Sequence, residues 1–166
     1  KDAANKKSNQ QNLGTIKSSN LCCEIMEYSD KKETAVCNLA SICLPTYLKE
    51  EENGEYTFDY EILHDTVKVI TKNLNKIIDK NFYPTPKTRK SNFRHRPVGL
   101  GIQGLADVFA MMHIPFDSEL AAEMNSKIFE TIYHGAVESS MEISKKRHEY
   151  IVDIQEQGLD LINSQS

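Results

Sequence analysis

The chain has 166 residues, 39% hydrophobic and 27% charged, with seven glycines and five prolines. This is the composition of a soluble globular protein of one domain's length, and it excludes collagen-like, mucin-like and wholly disordered readings. Twenty Lys and Arg against 24 Asp and Glu leave a formal charge of -4, so no general basic field exists to hold a nucleic-acid backbone.

No window approaches the roughly 18 unbroken apolar residues of a membrane span. The opening KDAANKKSNQQN has neither the apolar core nor the cleavage site of a signal peptide. A cytoplasmic location, with no nucleic-acid and no membrane partner, is the expectation. Residue 1 is Lys and not Met, so further chain upstream is expected, and a piece of a larger protein need not bury its apolar faces against itself.

The first twenty residues are polar and read as an irregular segment or a short polar helix followed by a loop. LCCEIMEY (21–28) and AVCNLASICL (35–44) are short apolar runs bounded by a polar stretch and by Pro45. The second reads as a strand and the first as a strand or a buried loop. KEEENGEY (49–56) is an acidic turn, after which Asp59 can cap a helix. Its apolar positions Leu63, Val67, Ile70, Leu74 and Ile77 step by four and three, and it should end near Phe82.

Pro84 and Pro86 stop that helix, and 87–96, with five Lys or Arg, reads as a basic connector, a solvated loop in preference to an anion contact. A second amphipathic helix is expected over about 104–113. A third opens near Ser118, carries Leu120, Met124, Ile128, Ile132 and Ala136, and runs to about Lys146. The five histidines, at 64, 95, 113, 134 and 148, show no HExxH or paired ligand spacing, which favours surface or packing roles.

Four cysteines, Cys22, Cys23, Cys37 and Cys43, lie within 22 positions. In an acidic cytosolic chain, clustered thiols point to redox, catalytic or metal chemistry before structural disulfides, although buried free thiols are also common. Zinc is disfavoured because there is no Cys-x2-Cys pair and adjacent Cys22 and Cys23 point to opposite faces of an extended backbone. In Asn20-Leu21-Cys22-Cys23-Glu24, a period of two puts an amide, a thiol and a carboxylate on one side of an apolar run. A carboxylate in such a setting is paired or has a raised pKa, which gives Glu24 the profile of a general base.

SNQQNLGTIKSSNLCCEIMEY, AVCNLASICLP, NLNKIIDKNFYPTP, RHRPVGLGIQGLADVF and NSKIFETIYHGAVESSMEISK closely resemble consecutive blocks of the catalytic large subunit of class I ribonucleotide reductase, the eukaryotic and viral type most strongly. The resemblance runs from Lys1 to about Lys146, leaving 147–166 as a divergent tail. It implies an α/β fold, part of a ten-stranded α/β barrel, with this segment mostly helical and carrying a few short strands.

The resemblance also implies roles. Cys22 would become the thiyl radical that removes the 3' hydrogen of the ribonucleotide, and Glu24 would take the 3' hydroxyl proton. Asn20 would hydrogen-bond the ribose, with Leu21 beside it in the substrate-binding segment. Cys37 would be one half of the dithiol that reduces the 2' carbon.

The implied whole enzyme makes deoxyribonucleotides for DNA synthesis. It takes ribonucleoside diphosphates, pairs two large subunits with a small radical-generating subunit holding a di-iron or related metal cofactor, responds to nucleoside triphosphate effectors, and is re-reduced by thioredoxin or glutaredoxin. No cofactor or metal is expected on this segment itself.

The Cys37 dithiol partner, the effector-binding regions, the substrate phosphate loop, the relay tyrosine pair and the C-terminal cysteine pair have no counterpart here, so the segment alone should not turn over. A non-catalytic remnant acting as an interaction module is the alternative, and a small thiol or zinc protein is a third reading. Finally, 99–104 satisfies G-x-G-x-x-G, but SNFRHRP, not an apolar strand, precedes it. The resemblance makes it a short barrel strand turning into a helix, its glycines permitting close packing.

Overall fold

Sequence periodicity and caps account for most of the elements in the computed structural model, which describes residues 2–8, 10–19 and 26–156. The chain divides into two compact units, Lys1–Thr46 with Asn73–Leu105, and Tyr47–Lys72 with Ala106–Ser166.

In the first unit the polar opening forms a short helix, α1 (Asp2–Lys7), followed by a loop. The Asn5 side chain clamps that loop, donating to the Ile16 carbonyl and accepting from the Ile16 amide, each at 2.8 Å. Ile16 is thereby buried. The apolar run 35–44 forms a strand over only its second half, β1 (Leu39–Cys43), and a 3-10 turn follows at Leu44–Tyr47.

β1 pairs in parallel with β4 (Gly99–Gln103), from Leu39 opposite Gly99 to Cys43 opposite Gln103. The glycine-rich run is thus a strand leading into α4 (Leu105–Met111), as the resemblance implies. Parallel strands are normally covered on both faces. Ile42 is buried here, whereas Leu39 and Cys43 are exposed.

The second unit begins with a hairpin, β2 (Leu48–Glu50) with β3 (Tyr56–Phe58), built on the expected acidic turn. Gly54 takes φ +80° there, a left-handed conformation that favours glycine. Asp59 caps α2 (Tyr60–Lys80), accepting from the Ile62 amide at 2.9 Å and pairing with Lys49.

The buried positions of α2 are Leu63, Val67, Thr71, Leu74 and Ile78, a row that drifts one residue from the expected one. Ile77 is 47% exposed and Ile78 takes its place. The cause is that 3.6 residues per turn advance the inward face relative to a strict four-three alternation. Thr71 tolerates burial because its hydroxyl donates to the Val67 carbonyl at 2.8 Å.

The run 87–96 is a helix and not a connector. α3 (Pro86–His95) starts at a capping box in which Thr85 and Thr88 satisfy each other's backbone amides, with Pro86 in the first turn. Its charges hid the pattern, since what α3 buries is polar: Thr88, Ser91 and Asn92. It ends at Arg96, whose backbone is left-handed at φ 47°. The Arg96 guanidinium bridges Asp79 at 2.8 and 2.9 Å and Asn75 at 2.8 and 2.6 Å.

α5 (Glu119–Glu156) opens at Ser118, whose hydroxyl accepts from the Ala121 amide. It continues ten residues past the expected end at Lys146. Ala121, Met124, Ile128, Ile132 and Ser139 face inward, while Leu120 is exposed. A Cβ on Gly135 would stand 3.0 Å from the His64 carbonyl and 3.2 Å from Val67 Cγ1, so glycine is what permits α2 and α5 to pack this closely. The Ser139 hydroxyl donates to the Lys68 carbonyl across the same contact.

Candidate active site

Asn20, Leu21, Cys22 and Glu24 lie outside the described residues, as does Cys23. Cys37 is described. It is exposed and lines an open cavity of roughly 860 Å³ in the first unit, together with Lys17, Ser18, Glu27, Ser29 and Thr34.

Three sets of contacts hold the segments around that cavity. The loop after α1 packs on Tyr28: a side chain on Gly14, whose φ is +148°, would run into the Tyr28 ring, and the Gln10 side chain accepts from the Tyr28 amide at 2.7 Å. Next, Asp30 shapes a tight turn by accepting from the amides of Lys32 and Glu33 at 2.7 and 2.9 Å. Those two amides hold its carboxyl below the usual carboxylate range. The turn delivers Glu33, 2% exposed, to His95 at 3.1 Å and Arg94 at 3.4 Å, pairing a carboxylate whose isolated burial would be costly.

The third set fixes the residue after Cys37. Asn38 donates to Asn92 Oδ1 and to the Pro97 carbonyl, each at 2.8 Å, and its own carbonyl accepts from the Gly99 amide at 2.9 Å. Asn92 donates to the Tyr83 hydroxyl at 2.6 Å, and that hydroxyl donates to the Ile78 carbonyl at 2.7 Å. A buried polar chain therefore runs from α2 through α3 to the backbone beside the thiol.

Glu27 was not singled out from sequence. Burial pushes its carboxyl up to about 7, and its buried Oε1 has no hydrogen-bond partner among the described residues. The signal was available, because Glu27 is the second carboxylate in the same apolar run as Glu24, and the desolvation argument applies equally to it. A thiol, a carboxyl that exchanges protons near neutrality and several hydroxyls thus face one cavity, a set suited to proton and hydrogen transfer on a polar, hydroxylated ligand.

Residues 1–152 match the family described as "Ribonucleotide reductase, barrel domain". The chain belongs to that family. It is 58% identical over 151 residues to the ribonucleoside-diphosphate reductase large chain 2 of Saccharomyces cerevisiae, covering 90% of this chain and 17% of that protein. It is 59% identical over 150 residues to the large chain of Schizosaccharomyces pombe, and 58% identical over 150 residues to the large subunit of Variola virus. Each of these alignments also covers 90% of this chain, with 18% and 19% of the relative. The chain therefore spans less than a fifth of the length of these relatives.

Family membership accounts for the parallel β1–β4 pair with helices between its strands as part of an α/β barrel. Among the described residues no helix is long and apolar enough to cross a membrane.

Proposed function

We propose that the chain is the central part of the catalytic barrel of a ribonucleoside-diphosphate reductase large subunit, with residues 1–146 in the barrel and 147–166 a divergent tail. The observation that carries this reading is identity near 58% over nine-tenths of the chain to proteins named for that activity. The cavity chemistry beside Cys37 agrees with it.

In this reading Cys22, as a thiyl radical, takes the 3' hydrogen atom from the ribose while Glu24 accepts the 3' hydroxyl proton. Asn20 and Leu21 hold the sugar against them. Water leaves from the 2' carbon, and the dithiol to which Cys37 belongs supplies two electrons and closes to a disulfide. The 3' hydrogen then returns from Cys22. Holding thiol and sugar in contact is what makes atom exchange between S–H and C–H fast.

The radical comes from a small subunit carrying a di-iron or related metal centre, the disulfide is reopened by thioredoxin or glutaredoxin, and nucleoside triphosphates tune a large-subunit homodimer. The work is cytoplasmic.

The test is cytidine diphosphate reduction by the large subunit containing this segment, supplied with its small subunit, beside Cys22→Ser, Glu24→Gln and Cys37→Ser. Loss of turnover in folded Cys22→Ser, and a single incomplete turnover in Cys37→Ser, are expected. Undiminished reduction by Cys22→Ser refutes the assignment, and an inactive parent shifts the reading to a non-catalytic interaction module.

A further inference from the structure

Far along the chain from the thiols, α2 and α5 bring together two imidazoles and a carboxylate. His64 Nε2 lies 2.9 Å from His134 Nδ1 and 3.2 Å from Glu138 Oε2, and the three candidate donor atoms all fall within 4.8 Å of one another. His134 and Glu138 are four apart on α5 and so share a face. The glycine contact at Gly135 brings His64 to meet them.

We propose that His64, His134 and Glu138 form a binding site for a divalent transition-metal ion of the zinc class, clasping α2 to α5. Donors about 2.1 Å from a tetrahedral ion stand about 3.4 Å apart. The two imidazole nitrogens must therefore part by about half an ångström, and the third donor, within 4.8 Å, must settle onto the ion by side-chain adjustment. Two imidazoles and one carboxylate suit zinc, cobalt and nickel, whereas magnesium and calcium require mostly oxygen.

Two further observations favour a ligand. Glu138 Oε2 is buried and, among the described residues, has ion-pair contacts at 3.2 Å from His64 Nε2 and Lys68 Nζ but no hydrogen bond of good geometry. In addition, the Asp65 carboxylate lies 3.8 Å from His64 Nδ1, adding a second negative group beside the cluster that favours a cation there. Lys68 is the competing cation. Its shorter contact, 2.6 Å, is to Glu142, which can keep it when the ion takes Glu138. His134 is exposed, so the cluster can be reached from solvent.

Cobalt(II) alone is the probe, titrated into the chain and into a variant with Cys22, Cys23, Cys37 and Cys43 all replaced by Ser, because thiols also bind such ions. The parent should bind at least one equivalent, and the serine variant one, with visible d–d absorption and no thiolate charge-transfer band. His134→Ala, at an exposed position, and separately His64→Gln should each weaken that binding about 100-fold with the far-ultraviolet circular dichroism unchanged. Binding abolished by the serine replacements and untouched by the histidine ones overturns the proposal, as does no binding at millimolar cobalt.

Discussion

Replacing Asn92 by alanine tests whether the buried polar chain beside Cys37 holds the first unit together. Asn92 is fully buried and Asn38 is 5% exposed, so water does not replace what is removed. The change takes away the acceptor for Asn38 Nδ2, the donor that approaches Asn38 Oδ1 at 3.3 Å, and the donor to the half-buried Tyr83 hydroxyl, which keeps the Ile78 carbonyl. Asn38 Nδ2 keeps the Pro97 carbonyl, but Oδ1 is left without its donor, at a cost of about 2 kcal/mol. The void left by the carboxamide adds about 1 kcal/mol. The better helix propensity of alanine in α3 returns about 0.5 kcal/mol.

The net expected loss is about 2.5 kcal/mol. With a urea dependence of about 2 kcal/mol per molar, the unfolding midpoint falls by roughly 1.2 M at unchanged slope. Circular dichroism in a urea series reads it, and a cycle with Asn38→Ala should give a coupling of about 1 kcal/mol or more. A midpoint shift below about 0.3 M, or strict additivity, refutes the reasoning.

Glu27 predicts a pH effect. Its folded pKa, about 7, lies above the unfolded value, so the native state binds the extra proton between roughly pH 4.5 and 7, and stability falls as pH rises through that window. Halved for partial solvent screening, the effect is about 1.5 kcal/mol. Glu27→Gln should flatten the stability profile across that window, and an unchanged slope contradicts the assignment. On α2, Ile78→Ala should cost about 3 kcal/mol and Ile77→Ala under about 1 kcal/mol. Equal losses in thermal unfolding mean that the inward row is wrongly placed.

The helices were legible where a capping side chain and an apolar row coincide, as at Asp59 with α2 and Ser118 with α5. Their exact faces were not, because spacing alone does not say which of two adjacent isoleucines turns inward. α3 escaped notice because its buried side is polar, held by Asn92 and Ser91 and not by aliphatic residues. The Thr85-Pro86 start was its only local signal. β2 and β3, three residues each, are too short for alternation to register.

Of the candidate site, the proposed Asn20, Cys22 and Glu24 set is a local pattern that sequence can suggest, and it lies outside the described residues. The Asn38–Asn92 clamp and the His64–His134 pair are not local patterns, because their members lie 54 and 70 positions apart. No local window holds both halves of either.

The β1–β4 pairing also bears on the order of events in folding. Each residue of β1 meets a partner sixty positions away, whereas the β2–β3 hairpin closes within ten. Chain entropy alone disfavours the longer closure by about 1.6 kcal/mol, so the hairpin forms roughly 15 times more readily than the parallel pair. Helices α2 and α3 are local and form early, drawing the ends of the crossover together before the strands join. Cys37, two residues before β1, reaches its fixed position among the last, and until then its thiol travels on a loose chain with the other three cysteines close by in sequence.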